Sequence, residues 1–152
     1  MSIDLENTVP TLTACEIAGL NRQRFNEFVA AGDYPCAPAT EPGKARYFNE
    51  LDLIALFVFA RLVEIPEVSA KRAGRQACAI REKLETDPNA ASLKIGDMIA
   101  GPYNQPVPSN ADILTDRISR RVPLSFTEYN IAAVRELVRE DVARLRAQGI
   151  AG

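Results

Sequence analysis

The sequence predicts a mainly α fold: an N-terminal winged helix-turn-helix with a small β wing, a helical connector, and a C-terminal α or α+β part that dimerises. Two observations carry this prediction. Gly19 separates two short segments that each start with a helix-capping residue and repeat apolar side chains at helical spacing. A basic Gly-Lys-Ala-Arg-Tyr segment led by Gly43 follows, and a long apolar helix is predicted directly after it.

The composition is that of a globular protein with little net charge. The chain has 152 residues, 47% of them hydrophobic, so it can bury a core as one domain or two small ones. Its formal net charge is −2 and its pI is near 5.3. This balance excludes a protein that coats nucleic acid non-specifically, because such binding depends on many summed phosphate contacts.

The cysteines and the apolar stretches predict the compartment. Cys15, Cys36 and Cys78 are odd in number and include no Cys-x-x-Cys pair, which indicates neither a disulfide framework nor a closed zinc site. We therefore expect free thiols, packed as small apolar side chains. The most apolar stretch, residues 51–63, is shorter than the roughly 20 residues that cross a bilayer. No signal peptide is evident, so a soluble, cytoplasmic protein is expected.

The first helix is expected to follow a loose leader formed by residues 1–10. Thr11 or Thr13 is its predicted N-cap, because Glu16 lies three residues after Thr13 and completes a capping box. Gly19 then ends the helix in a tight turn that requires a positive φ, which glycine adopts without steric cost.

The second helix is expected to start after its N-cap, Asn21, and to end near Ala31. Phe25, Phe28 and Val29 recur at the spacing of one helical face and are predicted to point inward. The polar side chains of the opposite face are then left outside. They are Arg22, Gln23, Arg24 and Asn26.

The wing is expected between the second helix and the next one. Residues 32–43 contain three prolines, too many for a helix or a central strand, and are predicted to form the loop that leads into it. Residues 44–48 are its predicted return strand. The predicted winged helix-turn-helix then covers residues 11–64, from the first helix to the end of the helix that follows the wing.

Two further helices are predicted from their caps. Asn49 caps a core helix over residues 50–64, whose apolar side chains leave little polar surface. Ser69 caps a second helix that runs to about Glu85 and has a narrow alanine-rich stripe suited to close helix packing. This second helix forms the predicted connector, residues 65–88.

Residues 89–152 are expected to form a C-terminal dimerisation or effector region. Residues 101–110 are predicted to be a loop, and the apolar residues between 113 and 118 fit either a strand or a short helix. Ser125 and Glu128 form a second predicted capping box, which starts a final helix that ends near Gly149.

Apolar side chains recur every three or four positions along this final helix. They are Ile131, Val134, Val138, Val142 and Leu145. A stripe of about six turns is longer than a small domain needs to cover its own core, which favours a homodimer formed through this helix. The alternative is that the helix folds back onto residues 51–62 of its own chain.

Residues 11–21 and residues 43–53 together resemble the winged helix of MerR-type regulators and phage excisionase-like proteins. The resemblance covers about residues 9–85. In this family the second helix enters the major groove, and the wing grips the backbone beside it. Two departures are visible: Glu27 stands where the family often has an aromatic residue, and the C-terminal half is not simply a long dimerisation helix followed by a metal or drug site. The family's ligand chemistry is therefore not carried over.

The resemblance implies a sequence-specific DNA-binding protein, either a MerR-like transcriptional regulator acting as a homodimer or an excisionase-like architectural factor. The side chains expected to contact double-stranded DNA are Arg22, Gln23, Arg24, Asn26, Lys44, Arg46 and Tyr47. Arginine commonly reads guanine, and asparagine commonly reads adenine. An ordinary solvated helix face is the alternative for the polar residues of the second helix.

A protein-binding adaptor that has lost DNA affinity is the third hypothesis. Residues 11–64 carry five basic and seven acidic side chains, a balance that weakens the DNA interpretation. An enzyme is not expected, because the chain has no histidine, the commonest general base, and contains no Gly-x-Ser-x-Gly, Walker or His-Glu-x-x-His motif. Neither a cofactor nor a metal site is predicted.

Overall fold

The computed structural model describes residues 7–97, 99–100, 122–123 and 125–149. Within these residues the protein is mainly helical, as predicted, with three small sheets. The helices are α1 (Thr11–Ala18), α2 (Arg22–Ala30), α3 (Glu50–Leu62), α4 (Ala70–Thr86) and α5 (Ile131–Ala147). The strands are β1 (Val9–Pro10), β2 (Tyr47–Phe48), β3 (Ser92–Gly96), β4 (Ile99–Ala100), β5 (Val122–Pro123) and β6 (Phe126–Asn130).

Each sheet consists of two antiparallel strands. β1 pairs with β2, β3 with β6, and β4 with β5. The β3–β6 ladder is the longest and runs from Ser92 opposite Asn130 to Gly96 opposite Phe126. It brings the start of α5 beside β3 and the residues that follow α4. The predicted loop at residues 101–110 and the undecided segment at 113–118 lie outside the described residues.

The first sheet corrects the predicted leader and wing. Val9 pairs with Phe48, and both side chains are buried in the core, so residues 9–10 are not part of a loose leader. The predicted return strand at 44–48 is reduced to its last two residues. Its partner strand, β1, precedes α1 in the chain. Val9 of β1 pairs with Phe48, and both side chains are thereby buried.

Three helices start at the predicted caps. Asn21 Oδ1 accepts a hydrogen bond from the third residue of α2 at 3.1 Å. Asn49 and Asp52 exchange two reciprocal side-chain to backbone hydrogen bonds of 2.9 Å at the start of α3, a capping box. Ser69 Oγ accepts from the third residue of α4 at 3.1 Å. Side-chain oxygens therefore satisfy backbone donors that would otherwise have no partner within the helix.

Two predicted capping boxes are wrong. Thr13 lies inside α1 and is buried, while Pro10, at the N-cap position, offers no side-chain cap. Ser125 directly precedes β6, and Glu128 lies within it. The extended pairing of β6 with β3 delays the start of α5 until Asn130, whose Oδ1 accepts from Ala133 N at 3.1 Å. In both cases strand pairing overrides a local sequence signal.

The centre of the core is α3, in which eight of 13 residues are buried. Its Ile54, Leu56 and Phe59 are completely inaccessible to solvent. One continuous apolar cluster joins α3 to every other helix described. Its members outside α3 include Ala14 and Ile17 of α1, Phe25 of α2, Ala77 and Ile80 of α4, and Ile131, Val138 and Leu145 of α5. The predicted DNA-binding unit, connector and C-terminal region therefore share one core.

The stripe predicted to form a dimer is used within the chain. Ile131, Val138 and Leu145 are at most 1% exposed, and they pack with the α3 core. The folded-back arrangement is therefore the one observed, and this stripe is not available to a second copy. The reason is that α3 is apolar on nearly all sides, so a further helix has to cover it. Among the described residues, no helix has the length and apolar character needed to cross a membrane.

The loop between α2 and β2 is fastened at three points. Tyr34 inserts into the core and is 2% exposed. The carbonyl oxygen of Asp33 approaches α4 where Gly74 has no side chain. Cys36 is joined by a disulfide to Cys78 of α4, with 5.5 Å between the Cα atoms. Although this loop has no regular secondary structure, its first residues are firmly placed.

The disulfide corrects the prediction of free thiols for Cys36 and Cys78. These residues are 42 positions apart, and only the packing of the loop on α4 brings them together. Cys15 is free and buried, as predicted. The cysteine content therefore no longer argues for a reducing compartment, and the cytoplasmic location stays a prediction.

We expect Gly74→Ala to destabilise the protein, although alanine is about 1 kcal/mol better than glycine inside a helix. The added carbon would lie 1.7 Å from the Asp33 carbonyl oxygen, a backbone atom that would have to move. Overpacking costs about 1 to 3 kcal/mol, so a net loss in unfolding free energy is expected in urea titrations. The control is Arg75→Ala, an exposed α4 neighbour. Equal stability of Gly74→Ala and wild type would refute this close packing.

We also expect reduction of the disulfide to lower stability. Closing a loop of 42 residues restricts the unfolded chain, a contribution of about 3 to 4 kcal/mol in the chain-entropy model. Dithiothreitol should therefore shift the urea midpoint to lower concentration. The double variant Cys36→Ser, Cys78→Ser should match the reduced protein and no longer respond to dithiothreitol. An unchanged midpoint after reduction, verified by mass spectrometry, would contradict this.

Candidate nucleic-acid interface

The turn between α1 and α2 fixes the orientation of the two helices relative to each other. Gly19 has a φ of 72°, the left-handed conformation predicted for it. Its N–H donates to Glu16 O at 3.2 Å, and the N–H of Leu20 donates to Cys15 O at 2.9 Å. These two bonds satisfy carbonyls at the end of α1 in a left-handed cap. Leu20 is buried directly afterwards, so the chain enters α2 in a defined direction.

A buried aromatic side chain fixes which face of α2 points outward. Phe25 is completely buried and makes edge contacts with Tyr34 and Phe48, with ring centroids 6.0 Å and 5.8 Å away. Phe28 packs edge-on against Phe59 of α3 at 5.1 Å. With these rings held inside, the polar residues predicted to lie outside are all exposed. They are Arg22, Gln23, Arg24 and Asn26.

Neighbouring groups orient part of this exposed face. The Arg24 guanidinium lies 5.3 Å from the centroid of the Phe28 ring, a cation–π contact. Gln23 Nε2 lies 3.5 Å from Glu27 Oε1, at the long limit of a hydrogen bond. The Glu27 carboxylate also lowers the positive potential of the face. The hydrogen bond from Gln23 to Glu27 is weak, so the Gln23 amide can readily donate to another acceptor instead.

The turn at residues 41–44 exposes Lys44, one of the wing residues predicted to contact DNA. Gly43 adopts a φ of 78°, and Thr40 Oγ1 donates to Lys44 O at 2.9 Å. The Lys44 side chain is 73% exposed, and its Nζ lies 2.9 Å from Glu41 Oε2. Such an exposed ion pair contributes little to stability and is readily replaced by a phosphate.

Arg46 and Tyr47 are placed differently from Lys44. Arg46 is half-buried, and its guanidinium donates to the Pro38 carbonyl, which joins the end of the loop to its middle. Tyr47 lies in β2 and lines a cavity between β1, α3 and α5. Of the three predicted wing contacts, only Lys44 is fully exposed.

A buried ion pair positions α3, the helix that follows the predicted wing, and sequence reasoning missed this pair. Asp52 is 9% exposed; one of its oxygens caps α3, and the other accepts from Arg81 Nε at 2.8 Å. Arg81 also lies 2.6 Å from Glu85. The Asn49–Asp52 spacing indicated the cap, but the partner on α4 follows only from packing. Removing either member of a buried pair leaves an uncompensated charge.

Two ionisable groups beneath this surface are held neutral. Burial raises the pKa of the Cys15 thiol to about 11. Burial, with a further contribution from the Asp52 carboxylate, raises the pKa of the Tyr34 hydroxyl well above its usual range. Both groups stay protonated at neutral pH, so neither is poised as a nucleophile. In the described part of the chain, His, Cys, Asp and Glu side chains form no group of three or more suited to a metal ion.

No protein-family model matches the chain, and a search of curated proteins returned no match. Function is therefore inferred from the geometry and chemistry of the described residues. The surface that these residues form consists of one exposed polar helix face, supported from behind by buried aromatic side chains, and one basic turn.

Proposed function

We propose that the protein binds double-stranded DNA sequence-specifically, as a MerR-like transcriptional regulator with a winged helix-turn-helix in residues 11–64. α2 is the recognition helix in this proposal. The basic turn around Lys44 contacts the phosphate backbone beside it. The observation that carries the proposal is the face of α2, where four polar side chains with base-reading chemistry are exposed on a helix whose rotation is fixed by Phe25.

The dimensions and chemistry of α2 suit the major groove. An α-helix with its side chains is about 10 to 12 Å in diameter, which fits a major groove about 12 Å wide, and the nine residues of α2 extend about 14 Å. Arg22 and Arg24 carry forked donors that match guanine, while Gln23 and Asn26 carry the paired donor and acceptor that match adenine. Because the whole protein is acidic, affinity has to come from this local surface rather than from net charge.

A protein-binding adaptor is the second candidate, and the charge of residues 11–64 favours it. Five basic against seven acidic side chains gives this unit no overall attraction to phosphate. Glu27 lies on α2 itself, and Glu41 is paired with the Lys44 of the turn. A gel-shift assay separates the candidates, because an adaptor shifts neither DNA from beside its gene nor duplexes selected from a random library. An excisionase-like factor would bind and bend its site.

The homodimer expected from the sequence needs a different surface from the one predicted. The inner stripe of α5 is buried in its own chain, whereas Leu137 on the outer face is 46% exposed. Light scattering at micromolar protein concentration measures the oligomeric state directly. A dimer implies two α2 helices and a palindromic site with half-sites about one helical turn apart. A monomer implies a single, asymmetric site.

Arg24→Ala is expected to weaken binding to a selected site by about 1 to 3 kcal/mol, because a bidentate contact to a base is lost. The side chain is exposed, so the melting temperature should stay nearly unchanged. Arg144→Ala, an exposed arginine on α5, is the matched control and should bind like wild type. Unchanged affinity of Arg24→Ala would remove α2 from the proposed interface.

Lys44→Ala is expected to weaken binding to all sequences alike. A backbone contact acts through counterion release, so the slope of log affinity against log salt concentration should fall by about one unit. Fluorescence anisotropy over a salt series measures this slope. The control is Lys71→Ala, an exposed lysine on α4. A loss confined to one base position, with an unchanged salt slope, would instead make Lys44 a base-reading residue.

A further inference from the structure

One arginine outside the set expected to contact DNA is held against the turn that precedes α2. Arg61 belongs to the last turn of α3. Its two terminal guanidinium nitrogens lie beside Gly19, where an added Cβ atom would be 3.3 Å and 3.5 Å from them. Because glycine has no side chain, the guanidinium approaches the backbone of the turn closely. This turn leads directly into Arg22, the first residue of α2.

A second contact fixes the direction of the Arg61 side chain. Its Cζ atom lies 4.6 Å from the centroid of the Phe57 ring, a cation–π contact. Phe57 stands one helical turn earlier on α3 and is itself packed against the core. Arg61 is thus held between an aromatic ring and a glycine turn, although the residue as a whole is exposed. An arginine fork placed in this way loses less entropy when it binds a ligand.

Among the described residues, no carboxylate lies within ion-pair distance of the Arg61 guanidinium, and its side chain donates no hydrogen bond to them. Arg72, Arg81 and Arg139 differ in this respect, since each is paired with a carboxylate. The fork of Arg61 is therefore both fixed in place and open to a ligand. Its positive charge favours an anion as that ligand.

The position of Arg61 relative to α2 indicates which anion this is. Arg61 contacts the turn that enters α2, whereas Lys44 lies in the loop that leaves α2. A helix in the major groove has a sugar-phosphate strand on either side of it, and arginine matches a phosphate with two parallel hydrogen bonds. Because Arg61 stands beside α2 rather than on it, its donors are placed for backbone phosphate and not for a base edge.

We propose that Arg61 is a DNA-contacting residue that donates to a backbone phosphate beside the start of α2. Gly19 and Phe57 are positioning residues: Gly19 leaves room for the guanidinium, and Phe57 holds it. This inference rests on the proposed DNA binding and extends the DNA surface from α2 and the basic turn to α3. A backbone contact adds affinity for every sequence alike.

Arg61→Gln removes the charge and should weaken binding about tenfold, both to a selected site and to unrelated duplexes. The slope of log affinity against log salt concentration should fall by about one unit. Arg61→Lys retains a charge and should keep the wild-type slope. The matched control is Arg75→Gln, because Arg75 is an exposed α4 arginine that also lacks an ion pair among the described residues. Both positions are exposed, so these variants should melt nearly like wild type.

A phosphate scan locates the contact. Duplexes in which one phosphate at a time is replaced by an uncharged methylphosphonate are titrated with wild type and with Arg61→Gln. At the contacted phosphate, the replacement should weaken binding of wild type about tenfold and leave binding of Arg61→Gln unchanged. The two changes remove the same interaction, so their effects do not add.

The same logic tests Phe57. Phe57→Leu should weaken DNA binding by wild type about two- to fivefold, because the cation–π contact that holds Arg61 is lost. In the Arg61→Gln background it should cost no further affinity, since the ring acts through Arg61. Phe57→Tyr keeps an aromatic ring and should bind like wild type. A merely structural role of Phe57 would weaken binding equally in both backgrounds.

The outcomes separate this inference from the DNA proposal. If wild type shifts no duplex, both fail. If wild type binds and Arg24→Ala weakens binding as expected, but Arg61→Gln keeps the affinity and salt slope of wild type, the phosphate contact alone is excluded. A loss confined to one base position with an unchanged salt slope also excludes it. Should Arg61→Gln fail to fold, Arg61→Met takes its place, because it keeps an apolar stem against Phe57.

Discussion

The burial of α3 on nearly every face is the constraint on which the rest of the structure depends. A helix with eight of 13 residues buried, including the apolar Ile54, Leu56 and Phe59, cannot be covered by one neighbour. α1 and α2, α4, and α5 each supply part of the cover. The C-terminal helix is thereby drawn back onto its own chain, and the apolar stripe that would otherwise suit a second copy is used up.

The same core holds the proposed DNA surface from behind. Phe25 and Tyr34 insert between α2 and α3, and the Cys36–Cys78 disulfide and the close approach at Gly74 fasten the following loop to α4. The exposed side chains of α2 thus project from a rigid support, although they themselves make few contacts. Sequence-specific recognition requires polar side chains that project from a fixed backbone, because a displaced donor does not reach its base.

β2 joins the loop that carries the basic turn to the cavity between β1, α3 and α5. Arg46, next to the proposed backbone contact, ties the loop to Pro38, and the next residue, Tyr47, lines the cavity that α5 closes from the other side. The short strand that follows the basic turn therefore also forms part of the cavity wall.

Local signals in the sequence determined most of the helices and the exposed face of α2. The caps at Asn21, Asn49 and Ser69 and the left-handed turn at Gly19 depend on neighbouring residues alone, so they are readable from the chain. Tertiary structure decided everything that depends on partners distant in sequence. The β1–β2 and β3–β6 pairings displaced two predicted caps, the disulfide joined cysteines 42 residues apart, and α5 packed inward rather than against a second copy. An apolar stripe indicates that one face of a helix must be buried, but it does not indicate which surface covers that face. The packing of the core decides the covering surface.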